Sequence, residues 1–529
     1  MVNIRKLPIG IQTFEKIINN RQVYVDKTHF ISKLVSNDGM YFLSRPRRFG
    51  KSLFVSTLDA YFSGKKELFN GLAIAEDEPQ MAAEEGRDEW IKYPVIYINF
   101  DGVDLTSYEE FLKTFADRFD KICKKYEADF TNIDSIPAKF ENLIQFLYEK
   151  YNLPVVILID EYDKPMLSAI DDSEISDRYI KFFKSFYGNL KGSDQYIKFA
   201  FITGVTKFSK ISIFSDLNNL KDISLDNRYA DICGITKAEL LSEFRPEIAT
   251  MAEENNLTYQ ECLAQLKKHY DGYHFSSNLT DVYNPFCLLN AFDEKRFGNY
   301  WFESGTPTFL IKAIHQSDFD IYSFSEGIEV GIKSINAYKL DFSNIIPMMY
   351  QSGYLTIKSY DLDYNTCILG YPNEEVRYAF MEQLALEYTY LTHDSTKLDS
   401  ATFSKYVCKG ETDKFMTAIK AIFAHIPYPT SQKQYELNYQ TIFYLIFTLM
   451  GQRMRTEVYT NEGRIDAVCE TKDFVYLFEF KLDGTVEDAL QQIEDKDYAV
   501  GYEASNKQIV RIGVAIDTAK RNIKDYKII

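Results

Sequence analysis

Four short runs constrain the fold most: Met40–Ser44, Pro94–Phe100, Pro154–Ile159 and Lys198–Thr203. Each is β-branched or aromatic on both of its alternating faces, and each is followed by polar or helical sequence. Runs of that kind suit a parallel sheet covered by helices on both sides. Ser107–Tyr126 and Ile136–Tyr151 carry helical periodicity and supply candidate crossovers. From Ile235 to Thr430 the texture becomes mainly helical, with Lys237–Asn256 and Tyr259–Tyr270 as the clearest segments. Pro427-Tyr428-Pro429 marks a boundary, because a proline disfavours helix in its predecessor. Beyond it we expect a compact α/β unit: a helix, a hairpin, a helix, a strand over Gln508–Ile516 and a final helix.

The chain of 529 residues is too long for one core, and three units are expected: 1–234, 235–429 and 430–529. Its formal charge of −17 argues against a protein that coats nucleic acid non-specifically, although a small local nucleic-acid site is compatible with it. Seven scattered cysteines form no C-x-x-C pair, so a reducing, cytoplasmic location is the simplest reading. The start MVNIRKLPIG lacks a signal-peptide core, and the longest apolar run, Thr441–Gly451, is too short to span a bilayer. No membrane association is expected.

The first run leads into S-R-P-R-R-F-G-K-S over 44–52. Gly50-Lys51-Ser52 ends as a phosphate-binding loop ends, but the general pattern has glycine where this chain has Arg45. At a helix start, backbone N–H groups would face phosphates, Lys51 would reach the β/γ-phosphates of ATP, and Ser52 would ligate Mg²⁺. Val155–Ile159 ends in Asp160-Glu161, which places a Mg²⁺-holding carboxylate at Asp160 and a water-polarising one at Glu161. A solvated strand end or a helix cap is the plain alternative for both acids. Thr203, at the tip of the fourth run, offers a hydroxyl to a γ-phosphate. Arg48 joins the candidate nucleotide ligands; whether Arg45, Arg47 and Arg48 grip phosphate, bind an acidic surface or shape the loop stays open.

Near the C-terminus, Arg464–Cys469 and Val475–Lys481 read as two strands around Lys472-Asp473. A two- or four-residue loop there sets Asp466 opposite Glu479, and alternation adds Lys481 to the same face. Facing carboxylates repel unless a cation lies between them, and oxygen ligands suit Mg²⁺ or Mn²⁺. Lys481 would then orient water or stabilise the transition state of phosphodiester hydrolysis. This is the logic of PD-(D/E)xK nucleases, and the segment resembles their motif. Glu436 fits the additional helix acid of such nucleases, or merely complements a helix dipole. Gln492 lies either near the site or on a solvated helix face. The residues after 430 include 13 basic and 16 acidic ones, so capture of nucleic acid falls to another surface, the helical middle or a homo-oligomer.

The segments YVDKT (24–28), FLSRPRRFGKSLF (42–54), ILIDEYDKP (157–165), FITGVTKFSK (201–210) and FSDLNNLKDIS (214–224) resemble the bacterial AAA-ATPase-like family. YDGYHF (270–275) and YNPF (283–286) extend that resemblance. It implies an α/β architecture: an AAA/STAND-like P-loop NTPase sheet, a helical, lid- or winged-helix-like middle, and a restriction-endonuclease-like α/β domain. In this family R-P-R-R-F-G-K-S is a regular P-loop variant. The implied function is an ATP-regulated, metal-dependent nuclease acting on DNA or RNA; the alternative is an NTPase switch whose nuclease-fold tail only binds partners. YVDKT is read as either adenine-side polar groups or a structural helix start.

Overall fold

The computed structural model describes residues 5–36, 39–170, 172–207, 213–214, 217–303, 310–311, 314, 323–336, 345–389, 400–423, 444–446, 453–459, 463–517 and 522–529. The chain forms two compact units, one of 1–304 with 327–375 and one of 305–326 with 376–529. The expected helical middle is thus shared between them. The proline boundary at 427–429 and the helix expected to carry Glu436 lie outside the described residues.

The first unit is built on a five-stranded parallel sheet of β1 (Gly39–Ser44), β2 (Val95–Asn99), β3 (Val155–Asp160), β4 (Ile197–Gly204) and β5 (Leu220–Asp222), ordered β2-β3-β4-β1-β5. Four of these are the runs expected from sequence; β5 is an addition. The parallel register aligns Ser44 with Gly204 and Asn99 with Asp160, so all these strand ends share one edge. Helices cover the faces. In Tyr108–Lys125 the stripe Phe111, Phe115 and Phe119 repeats every four residues and is fully buried. It meets Phe183 and Phe186 of helix Ser173–Gly192, and Phe186 stacks on Phe140 at 4.4 Å. Each such burial contributes roughly 1.5–3 kcal/mol.

The same unit contains helices Lys237–Glu243, Arg245–Glu254, Tyr259–Tyr270 and Pro285–Glu294. It also holds a small antiparallel sheet of β6 (Ile328–Gly331), β7 (Thr356–Asp361) and β8 (Thr366–Gly370), with β8 central. The aromatic motif at 270–275 belongs to this unit because Tyr273 and Phe275 clasp the P-loop's Phe49 edge-on, at 4.7 and 5.3 Å.

In the second unit, β9 (Arg453–Tyr459), β10 (Arg464–Glu470), β11 (Phe474–Leu482), β12 (Gln508–Asp517) and β13 (Asn522–Ile528) form one sheet in the order β13-β12-β11-β10-β9. β11 and β12 are parallel, joined through helix Val486–Asp495, and the other neighbours are antiparallel. That helix is started by a Thr485/Asp488 capping box and buries Val486, Ala489, Leu490 and Ile493. It lies so close to β12 that a Cβ on Gly513 would stand 2.6 Å from the Val486 carbonyl oxygen. The expected final helix is corrected to β13. Ile523 is buried at its start, and the strand completes the backbone hydrogen bonding of β12.

Candidate functional site

Gly50 caps helix Lys51–Phe62 with φ of 94°, a left-handed conformation that glycine adopts without a Cβ penalty. The Lys51 ammonium folds back onto its own loop, donating to the carbonyls of Arg45 at 2.9 Å and Pro46 at 3.0 Å. Burial lowers its pKa, opposed first by the charge of Asp160. Arg45 is itself buried. Its guanidinium donates to the carbonyls of Ser44 (2.9 Å), Ser224 (2.8 Å) and Tyr229 (3.0 Å) and lies 4.3 Å over the Phe275 ring. Arg45 therefore shapes the loop where other P-loops use glycine. Arg47 and Arg48 are exposed; Arg48 has φ of 68° and lies 4.6 Å over Phe286.

Beside this loop, β3 delivers Asp160, which is fully buried. Burial raises its carboxyl to about 6, opposed by a hydrogen bond with the Ser52 hydroxyl and by Lys51. Its oxygens also accept from the Glu161 N–H at 3.1 Å and from Asn99 at 3.4 Å. The contact between Ser52 and Asp160 brings together the two oxygen donors that would hold Mg²⁺, so the residues present fit that ion. Glu161 follows with φ of 53° and lies 3.5 Å from the Lys164 ammonium. Thr203 is fully buried, and its hydroxyl has no hydrogen-bond partner among the described residues. The neighbouring Thr206 gives both its N–H and its hydroxyl to Asp163.

A cleft of about 430 Å³ opens over the loop. Arg48, Gly50, Lys51, Ser52 and Glu161 line it, together with Asp101, Lys164 and the apolar Ile11, Phe286 and Leu289. Asp160 and Thr203 are buried and are not part of this lining. Sequence reasoning missed Asn99, Asp101 and Lys164, although the first two stand where the PVIYINF strand ends. In YVDKT the polar side chains of Asp26, Lys27 and Thr28 are engaged within the protein. Asp26 accepts from Thr28 and from the Ala73 N–H at a helix start, and Lys27 pairs with Glu239 at 2.6 Å.

In the second unit β10 and β11 pair Ala467 with Phe478 and Glu470 with Val475, closing on Lys472-Asp473. This is the register that turns Asp466 toward Glu479. Asp466 accepts from the Phe480 N–H at 2.8 Å. Glu479 is 1% exposed, and one of its oxygens has no hydrogen-bond partner among the described residues. Burial and then the charge of Asp466 push its carboxyl to about 7, against the pull of Lys481. The Lys481 ammonium donates to the other Glu479 oxygen at 3.3 Å and to the Gln492 side-chain oxygen. Gln492 in turn contacts Tyr498, whose hydroxyl is anchored on the Arg464 carbonyl at 2.6 Å. Gln492 thus reaches Lys481. Among the described residues no group of three or more His, Cys, Asp or Glu converges as a metal site. The orphaned Glu479 oxygen beside Asp466 is nonetheless a donor pair suited to Mg²⁺ or Mn²⁺. Among the described residues no helix is long and apolar enough to cross a membrane.

Residues 8–214 match the family described as "Predicted AAA-ATPase", and residues 434–526 match the PD-(D/E)XK nuclease superfamily. A protein from Azotobacter chroococcum mcd 1, described as "Uncharacterized protein in vnfD 5'region", is 34% identical over 535 residues, spanning 99% of this chain and 98% of its own. Among solved structures, the Aeropyrum pernix ORC2 protein in ADPNP–ADP complexes aligns with 73% of this chain and 97% of its own. It does so at 10% identity with a TM-score of 0.16. These two matches and the end-to-end relative lead to one assignment: the chain belongs to the AAA-ATPase-like family, with a C-terminal domain of the PD-(D/E)XK nuclease superfamily.

Proposed function

We propose that this protein is a cytoplasmic, ATP-regulated, metal-dependent nuclease that hydrolyses phosphodiester bonds of DNA, with RNA as the second substrate class. The observation that carries the reading is Glu479, a carboxylate sunk into an apolar strand with one oxygen unpaired, facing Asp466 and touched by Lys481. A buried carboxylate oxygen left without a hydrogen-bond partner costs several kcal/mol, which a purely scaffolding role would not require.

At the P-loop, Lys51 leaves its loop carbonyls for the β/γ-phosphates, and the N–H groups at the start of helix 51–62 face the phosphate oxygens. Ser52 and Asp160 would hold Mg²⁺, which would supply charge neutralisation of the phosphates. Glu161 takes the proton of the attacking water as its oxygen bonds to the γ-phosphorus. The bond from that phosphorus to the β–γ bridging oxygen breaks, and ADP leaves with the electron pair. At the hairpin, Asp466 and Glu479 would hold the metal. Bound there, Mg²⁺ or Mn²⁺ would supply Lewis-acid polarisation of the phosphodiester. Lys481, oriented by Gln492, stabilises the charge that grows on the phosphoryl oxygens.

The test compares wild type, Lys51→Ala and Asp466→Ala/Lys481→Ala for ATP turnover and for cleavage of DNA and RNA panels with Mg²⁺ or Mn²⁺. We expect Lys51→Ala to abolish turnover and the double variant to abolish cleavage while turnover persists. Cleavage that survives the double variant sinks the nuclease site, and turnover that survives Lys51→Ala sinks the P-loop.

A further inference from the structure

Among the described residues, four cations line the P-loop cleft: Arg47, which is exposed, Arg48, Lys51 and Lys164. Lys51 rests on the carbonyls of its own loop, and Arg48 lies over Phe286. Lys164, three residues after Glu161, is joined to carboxylates: its ammonium donates to Asp101, just beyond β2, and lies 3.5 Å from Glu161, just beyond β3. Its side chain is 34% exposed and lines the same cleft as Lys51 and Ser52. The Asp101 carboxyl is held below its ordinary range, first by the hydrogen bond from Lys164. Glu161 sits in a left-handed turn whose carbonyl accepts the Lys164 N–H at 3.1 Å, so the two side chains leave one tight bend.

We propose that Lys164 reads the terminal phosphate and controls Glu161. This rests on the ATPase reading above and extends it to regulation of the same site. In the geometry described, the ammonium is shared between Asp101 and Glu161, and a Glu161 paired with a cation is a poor acceptor for a water proton. A terminal phosphate carries more negative charge than either carboxylate and competes for the ammonium in the cleft. When Lys164 swings to that phosphate, Glu161 is released to face the attacking water. ADP has no γ-phosphate to draw the lysine across, so Glu161 stays paired. Lys164 thereby distinguishes triphosphate from diphosphate and arms the site only for the former.

The experiment measures affinities for ADP and for a non-hydrolysable ATP analogue, together with ATP turnover, in the full-length chain. The variants are Lys164→Ala, Lys164→Arg, Asp101→Asn and Lys51→Ala. We expect Lys164→Ala to bind ADP within about twofold of wild type while its preference for triphosphate over diphosphate falls by about tenfold. Turnover falls with it, and Lys164→Arg restores most of the preference. Asp101→Asn, which removes the competing carboxylate, raises the preference about threefold. Equal loss of both affinities in Lys164→Ala, or no change in their ratio, overturns the proposal, as does a ratio that Asp101→Asn leaves unchanged or lowers. Failure of the ATPase reading shows separately, as unimpaired binding of both nucleotides by Lys51→Ala.

Discussion

Asp160, at the end of β3, and Glu479, within β11, are both buried carboxylates, and burial pushes both upward, to about 6 and about 7. They differ in how the surrounding chain receives them. Asp160 is met by the Ser52 hydroxyl, a backbone N–H and, more loosely, Asn99, with Lys51 close enough to oppose the shift. Glu479 has Lys481 on one oxygen and nothing on the other among the described residues, and Asp466 adds repulsion. The first acid sits in a cradle satisfied by protein donors, whereas the second retains capacity for a further cation. Nucleotide binding should therefore depend chiefly on loop geometry, and the hairpin site on charge.

The largest expected effects come from breaking the geometry of each unit in turn. A Cβ on Gly204 would lie 2.5 Å from an Asp163 oxygen and from the Tyr162 ring, and Tyr162 is fully buried. Gly204→Ala should destabilise the first unit by on the order of 3 kcal/mol and abolish nucleotide binding. Gly513→Ala should push helix 486–495 outward, costing roughly 2 kcal/mol and carrying Gln492 away from Lys481. Melting curves, nucleotide binding and nuclease cleavage measured on both variants check whether each lesion is confined to its own site.

Next in size is Arg45. Arg45→Lys keeps the charge, but one ammonium cannot reproduce a fork that reaches the carbonyls of Ser224 and Tyr229 at once. A loss of about 2 kcal/mol in thermal stability is expected, together with weaker nucleotide binding. Unchanged stability would show that the fork is not what shapes the loop.

Glu479 makes the charge-controlled half of the comparison testable by pH. Its folded pKa lies above the ordinary carboxylate value, so the fold holds its proton more tightly than the unfolded chain does. Stability from this group is therefore lost as pH rises from about 4.3 towards about 7, and the loss is complete above that. Glu479→Gln should remove this slope, gaining of order 1–3 kcal/mol over wild type at pH 8 and little at pH 4. Mn²⁺ should raise the melting temperature of wild type at pH 8 and leave Glu479→Gln unmoved. Parallel pH profiles for the two proteins would contradict the assignment.

Much of this contrast was legible in the sequence because local rules governed it. A short loop at Lys472-Asp473 was enough to set Asp466 toward Glu479, and the both-face apolar runs located four of the five strands of the first sheet. The final strand Asn522–Ile528 was misread as helix because its alternation is brief and diluted by Lys524, Asp525 and Lys527. Arg45 was opaque for a different reason. Its partners are backbone carbonyls roughly 180 residues away, and a main-chain acceptor leaves no mark in residue identity. The attachment of the 270–275 motif to the P-loop was equally hidden, since it rests on the distant contact of Phe49 with Tyr273 and Phe275.

The smallest effect sharpens the comparison from the nucleotide side. Thr203 stands at the tip of β4 with a buried hydroxyl that makes no hydrogen bond among the described residues. Thr203→Val keeps the β-branched shape and deletes a polar atom that contributes no bond, so the nucleotide-free protein should change by less than about 1 kcal/mol, most naturally toward greater stability. If the hydroxyl is kept for a phosphate oxygen, or for the water that attacks it, the same substitution should slow ATP turnover by about tenfold while ADP affinity is preserved. Two readings of one variant thus separate the possibilities. A stability loss of about 2 kcal/mol would mean that the hydroxyl is already satisfied within the fold, whereas an unaltered turnover rate would remove Thr203 from the site and leave phosphate contact to Lys51 and the loop.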